Sequence, residues 1–392
     1  MKDISKRNLL NNPVKIVQVD SLSASSLLKE CLDLAPSLKH ITFIVDNAPI
    51  EAKNKLLKDI KKIANVTVLD KVQPNPRTSD IKDMAEKIEF TSIIVGIGGG
   101  SVMDSAKALS MLMTNGGELE DYLSNNPKRK IEKESLPLIL IPTTAGTGSE
   151  MTKVGVYTSL SGRKYTLGSP LMHAKKAILN TEYILNMPPA LIASTGADAL
   201  DHALETIWNK NANDETRKLA IEVSIDIISN LLKMYNGAKN KNQNIDYCRN
   251  MLLASSMAGA TFSTTGTAAG HALSFILSED YHIPHGSACA FTLLDIFKMS
   301  LSLEKVRKPL AEIAKAFFDD KEENVLISKL YDKLEQMFSD MALPTNFKEL
   351  GVEISPEDID SHFSRAFEDP KMWNQIPKAT KENIYPFLVA KC

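Results

Sequence analysis

The chain has 392 residues, 43% of them hydrophobic and 24% charged, ordinary globular values that exclude a disordered chain, a collagen and a coiled-coil rod. Lysine plus arginine total 46 against 48 acidic residues, a formal charge of -2, so the total lacks the basic surplus of a nucleic-acid binder. At roughly 100–200 residues per domain, the length suggests two to three domains.

In chain order, the opening stretch MKDISKRNLLNNPVKIV has no continuous apolar segment and does not read as a signal peptide. Residues 40–45 (HITFIV) read as a strand, 51–63 as a helix and 66–69 (VTVL) as a second strand. Residues 79–90 read as a helix, 92–97 (SIIVGI) as a buried strand, and a helix is expected from Ser101. The next strand is 137–141 (PLILI). Strand, helix, strand in this order means βαβ units on a mostly parallel sheet, whose strands are covered on both faces and so read as continuous apolar runs. From Pro188-Pro189 the text becomes rich in Ala, Leu, Met and Ser, with helical periodicity over 191–206, 214–235, 246–262, 286–300 and 306–318. The expected architecture is an α/β N-terminal domain with a parallel sheet (1–187) and an all-α C-terminal domain (188–392). Nowhere do about 18 apolar residues run together, so no membrane partner is expected. Cys31, Cys248, Cys289 and Cys392 lie far apart without CxxC spacing, which signals neither a disulfide framework nor a cysteine-built zinc site and points to a reducing, cytoplasmic location.

Three places carry candidate chemistry in the first half. The segment IIVGIGGGSVMDSAK (93–107) runs an apolar strand into Gly96, Gly98, Gly99 and Gly100, with Ser101 opening a helix. Glycines let a ligand approach the backbone, and a helix N-terminus offers free N–H groups to a pyrophosphate. The pattern departs from GxGxxG at Val102, and a tight turn without a ligand is the alternative. A second loop, IPTTAGTGSEMT (141–152), offers the hydroxyls of Thr143, Thr144, Thr147 and Ser149. Two such loops at strand ends suit a ligand at the carboxyl edge of a parallel sheet. Asp46, at the end of strand 40–45, either accepts from a ribose and repels a 2′-phosphate, or caps the helix that follows.

The second half holds a different constellation. Asp198 and His202 are i,i+4 and share a helix face. His271 and His285 follow in small, apolar surroundings. Three imidazoles and a carboxylate could hold Fe(II), Zn(II) or Mn(II). Taken singly, each is as readily a satisfied core histidine. His282 reads as a loop histidine, Glu205 as a solvated helix charge, and the methionines of 111–113 as core packing.

Together these segments resemble the iron-containing (group III) alcohol dehydrogenase family over nearly the whole chain. The resemblance is carried by GGGSVMDSAKA (98–108), IPTTAGTGSE (141–150), GADALDHALE (196–205) and HIPHG (282–286). It implies that Asp198, His202, His271 and His285 bind a catalytic metal, Fe(II) with Zn or Mn as alternatives. It also implies that Gly98, Gly99, Gly100, Ser101, Thr143 and Thr144 line a nicotinamide dinucleotide, that Asp46 favours NAD, and that Asn75 and Lys164 reach the cofactor. The implied reaction is hydride transfer between that cofactor and a small alcohol or aldehyde, in a homo-oligomer, a dimer. One departure is clear. Many alcohol-active members carry HxxxH, and here the second position is Phe275, which removes a proton-relaying imidazole. The stretch TTGTAAGHALSF (264–275) is more similar to the branch that reduces anionic aldehydes such as sulfoacetaldehyde and phosphonoacetaldehyde, with the anionic tail expected near Thr264, Thr265 and Thr267 or near Arg163. The alternatives are a generalist short-chain alcohol dehydrogenase and a dehydroquinate synthase-like lyase of the same fold.

Overall fold

A computed structural model describes residues 2–3, 10–124 and 127–392. The stretch read for a signal peptide therefore falls partly outside the described residues. The chain divides into two compact units, Met1–Asn186 and Met187–Cys392.

The first unit contains, in order, β1 (Lys2–Asp3), β2 (Lys15–Val19), α1 (Ala24–Leu34), β3 (Ile41–Val45), α2 (Glu51–Ile60), β4 (Val66–Leu69), α3 (Thr78–Ala85), β5 (Ile93–Gly98), α4 (Gly100–Asn115), β6 (Leu138–Pro142), β7 (Val154–Thr158), β8 (Lys164–Gly168) and β9 (Lys176–Asn180). Seven strands form one sheet in the order β1-β2-β9-β6-β5-β3-β4, while β7 and β8 make a separate antiparallel pair. Apart from the antiparallel β1 edge, the large sheet is parallel. All residues of β3, β5 and β6 are buried, as a sheet covered on both faces requires. From β3 the chain steps outward to β4, then crosses back to place β5 on the other side of β3. This reversal makes the carboxyl ends of β3 and β5 a topological switch point, where open α/β sheets bind ligands. Asp46 follows one strand and Gly98 ends the other.

Beneath this edge lies a buried charge. Lys107 of α4 is fully buried. Its ammonium donates to Ser149 Oγ (2.7 Å), Thr152 Oγ1 (2.8 Å) and the Val154 carbonyl (2.6 Å). Asp104, one turn earlier, accepts from Ser149 Oγ (2.7 Å) and from the Val156 amide (2.9 Å). Burial lowers the Lys107 ammonium to about 8, yet three acceptors match its three protons, so the charged form is the one this pocket is built for. These bonds tie α4, the loop after β6, and β7 together.

The second unit is helical: α5 (Pro189–Ile207), α6 (Asp214–Lys239), α7 (Ile245–Thr265), α8 (Ala269–Asp280), α9 (His285–Ser300), α10 (Glu304–Lys315), α11 (Glu323–Asp340), α12 (Ile359–Phe363) and α13 (Lys381–Val389). Pro189 opens α5 at its first position, where a missing N–H costs nothing. From Ala197 to Ile207 every residue of α5 is buried, because the helix packs against α6, α7 and α9. Its small residues permit that all-round packing, and its polar ones become buried polar groups in need of partners. Among the described residues, no single helix is long and apolar enough to cross a membrane.

Replacing Lys107 with Met leaves the Asp104 carboxylate and the Val154 carbonyl short of a partner inside the unit. We expect a loss of about 3–5 kcal/mol, read as an earlier urea transition of the full chain by far-UV circular dichroism. A shift smaller than about 1 kcal/mol, within the range of an exposed ion pair, contradicts this assignment.

Candidate functional site

The loop residues expected from sequence gather at the carboxyl edge of the sheet. The Thr143 amide donates to the Gly98 carbonyl (3.1 Å), joining the ends of β5 and β6. A Cβ at Gly98 would stand 2.3 Å from Val102 Cγ2 and 2.9 Å from Asp46 Oδ2, and one at Gly100 would stand 2.9 Å from Thr147 Cγ2. Those two glycines are demanded by their neighbours. Gly99 is different, since its Cβ would meet only Thr144, at 3.7 Å. It caps the 16-residue helix α4 without a side chain, which leaves open backbone at a positive helix end. This is a cradle shaped for a phosphate. Ser101 Oγ accepts from the Asn75 amide (3.1 Å), with Asn75 itself at a φ of 56°. Asp46, Asn75, Gly98, Gly99, Gly100, Ser101, Thr143, Thr144 and Thr147 thus share one region. Lys164 lies on β8 opposite Thr158 in the hairpin.

Two expectations change here. Ser149 is turned inward, its hydroxyl engaged with Lys107 and Asp104, so it supports the loop from beneath and does not line its open side. Asp46 is not a helix cap, because the cap of α2 is Ile50. The Asp46 Oδ1 accepts from Lys53 Nζ (2.6 Å) and from the Ala48 amide (3.1 Å). Lys53 is almost wholly buried, whereas the Asp46 side chain stays 25% exposed. The lysine holds the carboxylate in place and offsets part of its charge.

In the second unit the donor atoms of Asp198, His271 and His285 lie within 4.8 Å of one another, a set that does not include His202. Asp198 Oδ1 lies 3.5 Å from His271 Nε2, 3.7 Å from His285 Nε2 and 3.9 Å from His202 Nδ1. Donors placed 2.0–2.2 Å from one metal stand about 3–3.5 Å apart, so a small contraction would close Asp198, His271 and His285 around an ion, and His202 would have to move further to join them. Asp198 Oδ1, His202 Nδ1 and His271 Nε2 are buried and have no hydrogen-bond partner. Buried polar atoms without partners are costly, and a divalent cation satisfies all three at once. The residues fit such a metal.

The imidazoles are oriented from behind. His202 is stacked between Phe262 (4.1 Å) and His271 (4.4 Å). The His271 Nδ1 meets Glu205 Oε2 at 2.8 Å and Asp201 Oδ2 at 3.2 Å. Two carboxylates on Nδ1 place the proton there and turn the Nε2 lone pair toward Asp198. Glu205 also accepts from the amides of Ala268 (2.6 Å) and His271 (3.2 Å), so a carboxylate of α5 caps α8. This corrects the reading of Glu205 as a solvated charge, since the residue is fully buried. Burial pushes the Asp198 carboxyl up, but the surrounding imidazoles outweigh it and hold the group well below the usual range. Burial and the Glu205 charge raise Asp201 to about 7, and burial lowers His202 to about 3. For His271, burial opposes the charge, but the neighbouring Cys289, Glu205, Asp198 and Asp201 groups outweigh it and raise the ring well above its ordinary value.

Sequence reasoning missed Asp201 and Cys289. Asp201 is visible in retrospect: Asp198, Asp201, His202 and Glu205 fall at i, i+3, i+4 and i+7, the stripe that a buried helix turns to its core. Cys289 is i+4 from His285, and burial pushes its thiol up to about 12. His282 adopts a φ of 57° in the turn before α9, a loop position.

The family model described as iron-containing alcohol dehydrogenase matches residues 20–181, and its C-terminal companion matches 192–391. The chain belongs to the iron-containing alcohol dehydrogenase family. It is 34% identical over 326 residues to alcohol dehydrogenase 4 of Saccharomyces cerevisiae (strain ATCC 204508 / S288c), covering 82% of this chain and 81% of that protein. Among solved structures, a 1,3-propanediol oxidoreductase aligns with a TM-score of 0.87 at 25% identity, covering 96% of this chain and 97% of that one. A sulfoacetaldehyde reductase from Bifidobacterium kashiwanohense, in complex with NAD+, aligns with a TM-score of 0.85 at 25% identity over 97% of each chain.

The position of His285 depends on its neighbour. A Cβ on Gly286 would stand 2.0 Å from the Ser194 carbonyl oxygen of α5, a backbone clash that only movement of α9 relieves. Gly286→Ala is therefore expected to weaken divalent-metal binding at least tenfold while helix content is kept, measured by metal retention on dialysis alongside far-UV circular dichroism. Unchanged retention would show that the α5–α9 approach does not set the donor geometry.

Proposed function

We propose that this chain is a metal-dependent, NAD(H)-linked alcohol dehydrogenase that works as an aldehyde reductase on a short aldehyde. The observation that carries this reading is the convergence of unpaired, buried donor atoms of Asp198, His202 and His271 with His285, in a member of this family. Fe(II) suits the three-nitrogen, one-oxygen set, and Zn(II) or Mn(II) fits the same donors. When bound, the metal supplies Lewis acidity to a substrate oxygen and the nicotinamide supplies the hydride. The chain's own task is to hold both. Gly98, Gly99, Gly100 and Ser101 present the start of α4 to a pyrophosphate. Thr143, Thr144 and Thr147 border that loop, Asn75 and Lys164 complete the cofactor set, and Asp46 takes the ribose hydroxyls. The relative seen with NAD+ supports this choice of cofactor. The same reading extends to a cytoplasmic homodimer acting on small molecules, with no nucleic-acid or membrane partner.

Asp46 faces the position where a 2′-phosphate would add negative charge, so NADH is expected to bind more tightly than NADPH. Replacing Asp46 with Gly removes the repulsion and should bring the two dissociation constants, read by fluorescence titration, within a few-fold of each other. A ratio that does not move assigns Asp46 only to holding Lys53.

The substrate follows from Phe275. Its ring lies 6.1 Å from the His285 ring, and the Lys371 ammonium sits 4.0 Å from its centroid. Of the threonines expected to hold an anionic tail, Thr265 donates to the Gly266 carbonyl (2.9 Å) and Thr264 to that of Ala260 (3.4 Å), while Thr267 is buried. Arg163 is exposed in the turn between β7 and β8. Lys371 thus takes over as the cation for such a tail. It is paired with Asp369 at 3.1 Å, which an incoming anion must compete with. A charge-assisted bond contributes about 1.5–3 kcal/mol, so kcat/KM for sulfoacetaldehyde should exceed that for propanal by roughly tenfold or more. Lys371→Met should abolish the difference. Equal efficiency in the unmodified protein instead identifies a generalist dehydrogenase in which Phe275 is packing.

A further inference from the structure

Cys289 stands one helical turn after His285 on the same face of α9. Its Sγ lies 3.8 Å from His285 Nε2. It also belongs to a group with Asp198, His271 and His285 whose donor atoms all fall within 4.8 Å of one another. The thiol is fully buried, and so are the two unpartnered atoms aimed into the same space, Asp198 Oδ1 and His271 Nε2. Of the three imidazole contacts to Asp198 Oδ1, that of His202 Nδ1 is the longest, at 3.9 Å. Sulfur and nitrogen donors on one ion stand roughly 3.5 Å apart, given bonds of about 2.3 and 2.0–2.1 Å. The observed spacing is close to that.

Resting on the metal-site reading above, we propose that Cys289 is a further metal ligand, its sulfur joining Asp198, His271 and His285 around a borderline divalent ion. The metal–sulfur bond replaces the S–H bond, one proton leaves to solvent, and no electron is transferred. A sulfur donor favours Co(II), Zn(II) and Fe(II) and gives nothing to hard Mn(II). The three imidazoles already rank these ions above Mn(II), so the diagnostic quantity is the part of the preference lost when the sulfur is removed.

The test uses the full chain, stripped of metal and loaded anaerobically with Co(II). Ligand-field bands report occupancy, and a near-ultraviolet sulfur-to-cobalt charge-transfer band reports thiolate ligation. The expected result is both sets of bands. The charge-transfer band should be lost in Cys289→Ala and kept in Cys392→Ala, the variant lacking the exposed thiol. Co(II) affinity of Cys289→Ala should fall about tenfold while Mn(II) affinity is little changed. Ligand-field bands without a charge-transfer band in the unmodified protein overturn the inference and leave the metal site standing. Absence of any bound Co(II) overturns both. If Cys289→Ala does not fold, the unmodified spectrum together with the Cys392→Ala control decides.

Discussion

The candidate metal centre depends on one carboxylate. Glu205 is fully buried on α5 and accepts hydrogen bonds from the backbone at the start of α8 and from the ring of His271. A negative charge at a helix N-terminus is favourable, and a charge this deep requires several donors. Both needs are met by these three bonds, which lock α8 to α5. That lock aims His271 at Asp198, which α5 itself carries seven residues earlier. His285 enters from α9, where Gly286 lets the backbone come down onto Ser194. The donor geometry thus follows from how closely three helices approach, and the absent side chains at Gly270 and Gly286 allow it.

The first unit solves its own problem in a related way. Lys107 and Lys53 are buried cations, each held by oxygen acceptors. Lys107 fixes the loop after β6 from beneath, and Lys53 fixes Asp46 at the end of β3. In both cases a charge inside the unit positions a polar group at its surface. Buried pairs of this kind add little net stability compared with apolar packing, but once present they define one geometry. The proposed cofactor site at the sheet edge needs that definition more than it needs stability.

Much of this was legible in the sequence, for identifiable reasons. The strands β3, β5 and β6 are continuous apolar runs, because both faces of the sheet are covered. The strands β2 and β9 were not legible, since Lys15, Gln18, Lys176 and Asn180 interrupt the pattern. Lys176 is buried only because it pairs with Glu30 of α1, a partner 146 residues away that no local periodicity can reveal. The same limit applies to Asp46. Its place after a strand permits either a ribose contact or a helix cap, and only the cap is excluded, by Ile50 standing at the start of α2 and by Lys53 reaching back to the carboxylate. For Glu205 the helix face was readable, but the arrival of α8 above it was not. Motif glycines, by contrast, declared themselves, because Gly98 and Gly100 have neighbours that tolerate no side chain.

On the proposed function, one divalent ion held by Asp198, His202, His271 and His285 is required for hydride transfer to an aldehyde. An anaerobic Fe(II) titration of the metal-stripped protein, with NADH consumption followed at each addition, tests it most directly. The account predicts that turnover rises linearly to a break at one equivalent per chain, and that His271→Ala shows no such rise although its secondary structure is intact. Full turnover before any metal is added, or an unaltered titration in His271→Ala, would contradict it.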